Sequence, residues 1–419
     1  MSDKITVTPS LLCGKVAAIP SKSDAHRLLI ASAFADRPTT LMMRGSSEDI
    51  DATIGCLRAI GAGIDKQADR VVVTPVSNIP PRPLLDCRES GSTLRFMLPV
   101  AAAVCESAAF VGQGRLPQRP IGELREALTG GGVAFSSDRL PFEISGRLNA
   151  GDYRLPGGIS SQYITGMLMA LPLTGGESEI ILTDALRSGA YVDITLDVLK
   201  RFGIEIKKSH CGYLVPAGQR YRSVGQVDVD GDWSNGAFLL CMGAIGGSVT
   251  VTGLRAHSPQ GDKAITDLLR RFGAKVTADG DSVTVSGGRL VGCEVDIDET
   301  PDLLPALAMV AAFAEGETRF VNGERLRIKE SDRLAACADL LHDLGGDAEE
   351  TADGLIVRGG GLRGGSTHGQ GDHRIVMAAA IAAVGCTEEV TITGYGAVNK
   401  SYPAFFEDYA ALGGKLCIQ

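Results

Sequence analysis

The chain has 419 residues, 44% hydrophobic and 22% charged, which suits two globular domains of roughly 200 residues each better than a single core. A net charge of −9 and an aromatic content of 5% argue against a broad nucleic-acid or anionic-membrane surface, yet leave room for local Arg and Lys clusters that hold small anions. Ten scattered cysteines without zinc-ligand spacing fit free thiols, and the absence of a signal-peptide layout or bilayer-length apolar run predicts a cytoplasmic protein.

Along the chain, two strand-like stretches come first, ITVTP and GKVAAI. Six segments then repeat one pattern, an amphipathic helix that stops at a glycine and is followed by strand, turn and usually a second strand. The pattern runs through DATIGCLRAIGAG, IGELREALTGGG, DITLDVLKRFG, AITDLLRRFG, RLAACADLLHDLGG and FFEDYAALGG. Gly61, Gly130, Gly203, Gly273, Gly345 and Gly413 stand where a left-handed C-cap is expected. More apolar helices are expected between these segments, at Ser90–Ala103, Ser160–Leu173 and Asp372–Val384 among others. Each unit therefore reads as βαβαββ. The sixth unit lacks its last strand, and the chain start can supply it. The expected layout is an inserted domain of three units over 20–226, a second domain from 1–19 plus 227–419, and a hinge near 20 and 227.

Polar clusters open the apolar helices in both halves. IPSKSDAHR brings Lys22, Ser23, His26 and Arg27 to a helix start, where backbone N–H groups and cations favour anions. A capping serine with solvated cations would explain it equally well. ESGST places Gly91 where a ligand can approach the backbone, and LPQRPIG sets Arg119 before a proline expected in a first helical turn. GGISSQY offers Ser160, Ser161 and Gln162, neutral groups suited to a polyol phosphate. ETPD heads a helix with Asp302, and RIKESDR gathers Lys329, Glu330 and Arg333, a triplet common on solvated helix faces. GDHR contributes His373 and Arg374, and NKSYP contributes Lys400. Recurrence of such clusters in both halves points to one interdomain cleft for two phosphorylated or carboxylated substrates.

In order, SKSDAHR, SGSTLR, LPQRPIG, SSQYITG, ETPD, RIKESDR, GDHR and NKSYP resemble the 5-enolpyruvylshikimate-3-phosphate synthase family over nearly the whole chain. The resemblance implies an enolpyruvyl transferase-like fold, a two-domain inside-out α/β barrel with three βαβαββ units per domain. It implies transfer of the enolpyruvyl group of phosphoenolpyruvate to shikimate 3-phosphate in aromatic amino acid biosynthesis, with no metal and no cofactor, by a monomer. By the same resemblance Ser23, Arg27, Ser160, Ser161, Gln162, Ser188, Tyr191, Asp302 and Lys329 hold shikimate 3-phosphate. Lys22, Gly91, Arg119, Arg333, Arg374 and Lys400 hold phosphoenolpyruvate, and Asp302, Glu330 and Lys22 are catalytic. Domain closure completes the site, and Gly91 leaves room for glyphosate. Four positions depart from the family pattern: Pro20-Ser21 lacks the usual glycine, Glu89 and Gly371 replace frequent asparagines, and Arg325 stands at a substrate-contact position of some relatives. The sister enzyme acting on UDP-N-acetylglucosamine usually carries a cysteine in the loop that is GQGRLPQRP here. A non-catalytic binder would have lost Asp302, Glu330 or Lys22.

Overall fold

In a computed structural model of the chain, residues 3–419 are described. Five of the six amphipathic helices end where the backbone turns left-handed at glycine, with φ of 110° at Gly61, 79° at Gly203, 99° at Gly273, 82° at Gly345 and 97° at Gly413. The sixth differs from expectation. The helix Gly122–Gly130 runs through Gly130, and the left-handed residue is Gly132, with φ 101°. Nothing crowds a Cβ at Gly130, whereas one at Gly131 would meet Tyr153 Oη and one at Gly132 would meet Asn149 Nδ2, each at 2.6 Å, and of the three only Gly132 has the left-handed backbone.

After each helix the chain builds a four-stranded sheet of constant order. In one, Leu84–Asp86 lies parallel to Ser107–Val111, which pairs antiparallel with Phe142–Ser145, and that strand pairs with Ala134–Phe135. Among the described residues six such sheets form, and alternating residues of their central strands are buried, the period-two signature of a half-buried sheet.

Two compact units result, Met1–Ile19 with Asp230–Gln419, and Pro20–Val229, and each carries three sheets and its own hydrophobic core. The chain start supplies strands to the first unit: Lys4–Thr8 lies between Val390–Thr393 and Lys415–Ile418, and Leu12–Ala17 runs parallel to Gly247–Thr252. Gln226–Asp228 runs parallel to Thr39–Met42 within the second unit, so the chain leaves that unit after Val229 rather than at 227.

The apolar helices form the interior of each unit. Every residue of His373–Ala382 and of Leu304–Ala312 is buried; the second is apolar throughout and the first is apolar beyond His373 and Arg374, as interior helices are. In the other unit the helices Gly91–Val104 and Ser161–Ala170 pack closely. Pro99 has no N–H to donate to Arg95 O, and Gly166 lies so near that carbonyl that a Cβ would stand 2.2 Å from it. This approach sets Arg95 beside Gln162.

Candidate functional site

In the Pro20–Val229 unit, three serines cap three buried helices. Ser21 Oγ accepts from Asp24 N at 3.4 Å, Ser90 Oγ from Thr93 N at 3.2 Å, and Ser160 Oγ from Gln162 N at 3.3 Å. Ser21 is fully buried in this role, so the helix start is capped without the usual glycine before it. Lys22 begins the first helix and donates to Asp49 Oδ2 at 2.9 Å, across from the start of helix Glu48–Ile60. Arg27 is turned inward. It donates to Thr195 Oγ1 at 2.7 Å, Tyr191 O at 2.8 Å, Thr165 Oγ1 at 3.2 Å and Ser23 O. Burial lowers its pKa to about 10, against the pull of Asp24. Arg27 thus ties Ser23 to Tyr191, and four of its five donors already serve the protein.

Its neighbour His26 is a core residue rather than part of an anion site. Its Nδ1 meets Thr53 Oγ1 at 2.7 Å and its ring meets Phe96 edge-on. Burial, outweighing the attraction of Asp49, lowers its pKa to about 3 and keeps it neutral.

Gly91 opens the second helix beneath two guanidinium groups. A Cβ there would meet Arg119 Nη1 at 2.5 Å and Arg95 Nη1 at 2.7 Å. Arg95 donates to Gln162 Oε1 at 2.9 Å and to Pro120 O at 3.0 Å, and Gln162 Nε2 donates to Ser92 Oγ at 2.9 Å. Pro120 does not begin a helix as expected, because the helix starts at Gly122; its carbonyl instead accepts from Arg95 and from Tyr163 Oη at 2.7 Å. The Pro120 carbonyl, next to Arg119, is thereby tied through Arg95 to Gln162. Ser188 takes a left-handed backbone, φ 53°, at the start of helix Gly189–Arg201, a conformation a serine adopts only where surroundings impose it.

In the other unit the chemistry centres on Asp302, in the 3-10 turn Pro301–Leu303. Arg333 Nη1 donates to its Oδ1 at 2.7 Å, Arg374 Nη2 to its Oδ2 at 3.0 Å, and Lys329 Nζ stands 3.8 Å from Oδ1. Arg333 is only 1% exposed, which overturns the reading of RIKESDR as a solvated triplet. It also donates to Glu330 Oε2 at 2.8 Å and to Asp372 Oδ2 at 2.8 Å. Asp372 caps the next helix through Arg374 N at 3.0 Å, so one carboxylate fixes both arginines.

Burial by itself would raise the Asp302 carboxyl. Arg374, Lys329 and Arg333 outweigh it and hold the group far below the usual carboxylate range. For Asp372, burial opposes Arg333 and His373, and the pKa falls to about 2. Arg333 sits well above its ordinary value, since Asp372, Glu330 and Asp302 outweigh the burial penalty. Lys400 is buried at the end of the turn Tyr395–Lys400, and its neighbour Ser401 accepts from Asn235 Nδ2 at 3.0 Å.

The other departures have local explanations. Arg325 donates to Asp298 Oδ1 at 2.6 Å and to Asp298 O at 2.7 Å. Gly371 occupies a left-handed position, φ 68°, which glycine and asparagine both accept. Glu89 lies against Gly114, where a Cβ would collide with its carboxylate. Sequence reasoning missed Asp49, Arg95, Ser234 and Asp372 as members of these clusters. Of these, Asp372 carried a signal as an aspartate directly before a buried-looking helix, and Arg95 as the arginine that closes SGSTLR. Among the described residues, no group of three or more His, Cys, Asp or Glu could hold a metal ion, all ten cysteines are free, and no helix is long and apolar enough to cross a membrane.

The model of the family described as EPSP synthase (3-phosphoshikimate 1-carboxyvinyltransferase) matches residues 7–409. A 3-phosphoshikimate 1-carboxyvinyltransferase of Clostridium kluyveri is 38% identical over 417 residues, covering 98% of each chain. One of Halobacterium salinarum is 41% identical over 423 residues, covering 97% of this chain and 98% of that one. The solved EPSP synthase of Acinetobacter baumannii superposes with a TM-score of 0.85 at 24% identity, covers both chains fully, and shares the two-domain α/β fold. On the strength of the family match and these relatives, the chain belongs to the EPSP synthase (3-phosphoshikimate 1-carboxyvinyltransferase) family.

Proposed function

We propose that this chain moves the carboxyvinyl group of phosphoenolpyruvate onto the 5-hydroxyl of shikimate 3-phosphate and releases phosphate. The observation that carries the mechanism is the carboxylate of Asp302 gripped by Arg333, Arg374 and Lys329, with Glu330 on the same arginine. Held by three cations, Asp302 is a poor base. Anionic substrate groups compete for those cations, so their arrival restores its basicity where a hydroxyl proton must be taken.

The steps balance as follows. The 5-hydroxyl oxygen bonds to C2 of phosphoenolpyruvate, its proton passes to Asp302, and Glu330 protonates the methylene carbon. The tetrahedral intermediate then loses phosphate, which carries off the proton held by Asp302, as a methyl proton returns to Glu330. Lys22, Arg119, Arg333, Arg374 and Lys400 neutralise the phosphate and carboxylate of phosphoenolpyruvate, and Gly91 keeps the backbone beside them open. Ser23, Ser160, Ser161, Gln162, Ser188, Tyr191 and Lys329 orient shikimate 3-phosphate. Arg27 acts by holding Ser23 and Tyr191 and offers its remaining donor. Preorganised cations supply the stabilisation, so the reaction is expected to proceed in EDTA.

Mass analysis of the acceptor after incubation tests this directly. One enol ether formed per phosphate released is expected; phosphate release with unchanged acceptor would refute it. Glyphosate is expected to compete with phosphoenolpyruvate at the Gly91 arginines, and inhibition equal at low and saturating phosphoenolpyruvate would count against that. The enzyme is further proposed to act as a cytoplasmic monomer, which sizing in solution checks.

A further inference from the structure

Within the Pro20–Val229 unit, one backbone carbonyl receives side chains from two different buried helices. Pro120 O accepts from Arg95 Nη2 at 3.0 Å and from Tyr163 Oη at 2.7 Å, which engages both of its lone pairs. Tyr163 lies beside Gln162 on the helix Ser161–Ala170 and is fully buried, so bulk water does not compete for its hydroxyl. The Arg95 guanidinium stands 5.8 Å from the centroid of its ring, within cation–π range. Burial, against the pull of Arg95, raises the phenol above its ordinary pKa and keeps it a donor.

The residue just before this anchored carbonyl is Arg119. A residue that precedes proline is confined to extended backbone, and Arg119 has φ −75° and ψ 137°. The Pro120 ring fixes the next φ, so holding the Pro120 carbonyl also sets the direction in which the Arg119 side chain leaves the chain. The helix that follows, Gly122–Gly130, carries no side-chain cap that could steady the loop instead. The Arg119 guanidinium ends over Gly91, where an added Cβ would stand 2.8 Å from its Cζ.

We propose that Tyr163 is a positioning residue that, by anchoring the Pro120 carbonyl, aims the Arg119 guanidinium over Gly91 at phosphoenolpyruvate. Arg95 shares the anchor but also donates to Gln162 Oε1 at 2.9 Å, so it steadies groups assigned to both substrates. The Tyr163 hydroxyl acts on the Arg119 side alone, through its bond to Pro120 O.

This inference rests on the proposed transferase reading, and kinetics separate the two. Tyr163→Phe keeps the packed ring and removes one hydroxyl. It is expected to raise KM for phosphoenolpyruvate roughly three- to fivefold, with kcat and KM for shikimate 3-phosphate little changed. Arg95→Lys loses the planar fork and is expected to raise both KM values. In an Arg119→Ala background, Tyr163→Phe is expected to leave kcat/KM for phosphoenolpyruvate unchanged, because the side chain it aims is gone. In Tyr163→Phe, an unmoved KM for phosphoenolpyruvate or an equal rise in both KM values would overturn the proposal, as would an undiminished effect without Arg119. Absence of turnover in the wild-type enzyme would instead overturn the transferase reading.

Discussion

Replacing Gly91 by alanine adds one methyl group where two guanidinium groups lie 2.5 and 2.7 Å from the new carbon. Ordinary contact needs about 3.5 Å, so Arg119 must retreat by about 1 Å. Arg95 has less freedom, because Gln162 and Pro120 hold it. A charge-assisted hydrogen bond contributes about 1.5–3 kcal/mol. A retreat of that size breaks the contact but keeps most of the long-range attraction, so about 1.4 kcal/mol should be lost. Steady-state kinetics should show KM for phosphoenolpyruvate raised about tenfold, with kcat changed far less. Stability should hold or improve, since alanine is favoured over glycine in helices by about 0.5–1 kcal/mol. The decisive comparison repeats the substitution in an Arg119→Ala background, where the methyl group should add little. An undiminished effect there, or an unchanged KM in the single variant, would refute the reasoning.

Two other outcomes follow from the same geometry. Glu330→Gln keeps an acceptor for Arg333 but removes the proton donor, so turnover should fall about 10²–10⁴-fold and phosphoenolpyruvate should no longer take up solvent deuterium during turnover; uptake at the wild-type rate would assign the proton to another group. His26 has a folded pKa of about 3, below its unfolded value of 6.5, so its contribution is complete above pH 6.5 and drains away as pH falls toward 3. Between pH 7 and 5 the His26 contribution should shrink by about 2 kcal/mol in urea unfolding. His26→Gln should flatten that slope, and equal slopes in both proteins would show that His26 is not buried and neutral.

Much of the architecture was legible because its punctuation is local. A helix that stops at a left-handed glycine announces itself within a dozen residues, and five of six did so. Gly130 misled because three consecutive glycines offer three stopping points, and the left-handed backbone falls on the last of them, Gly132. The completing strands could be inferred from what the sixth unit lacks. The second domain boundary was placed slightly early, since a three-residue strand, Gln226–Asp228, has almost no periodicity of its own.

The charged clusters were legible as places but not as partnerships. Lys22 finds Asp49, Arg325 finds Asp298, and Arg333 finds Asp372 at separations no motif spans. His26 and Arg27 share one helix start and one motif, yet burial makes the first a neutral core residue and the second an internal tie. Such distinctions arise from desolvation and long-range packing, which a linear pattern does not encode.

The central claim is most directly tested by phosphate release from phosphoenolpyruvate in EDTA, with shikimate 3-phosphate and UDP-N-acetylglucosamine as parallel acceptors. Release is expected with shikimate 3-phosphate alone. Release only with the sugar nucleotide, or with neither acceptor, would contradict the assignment.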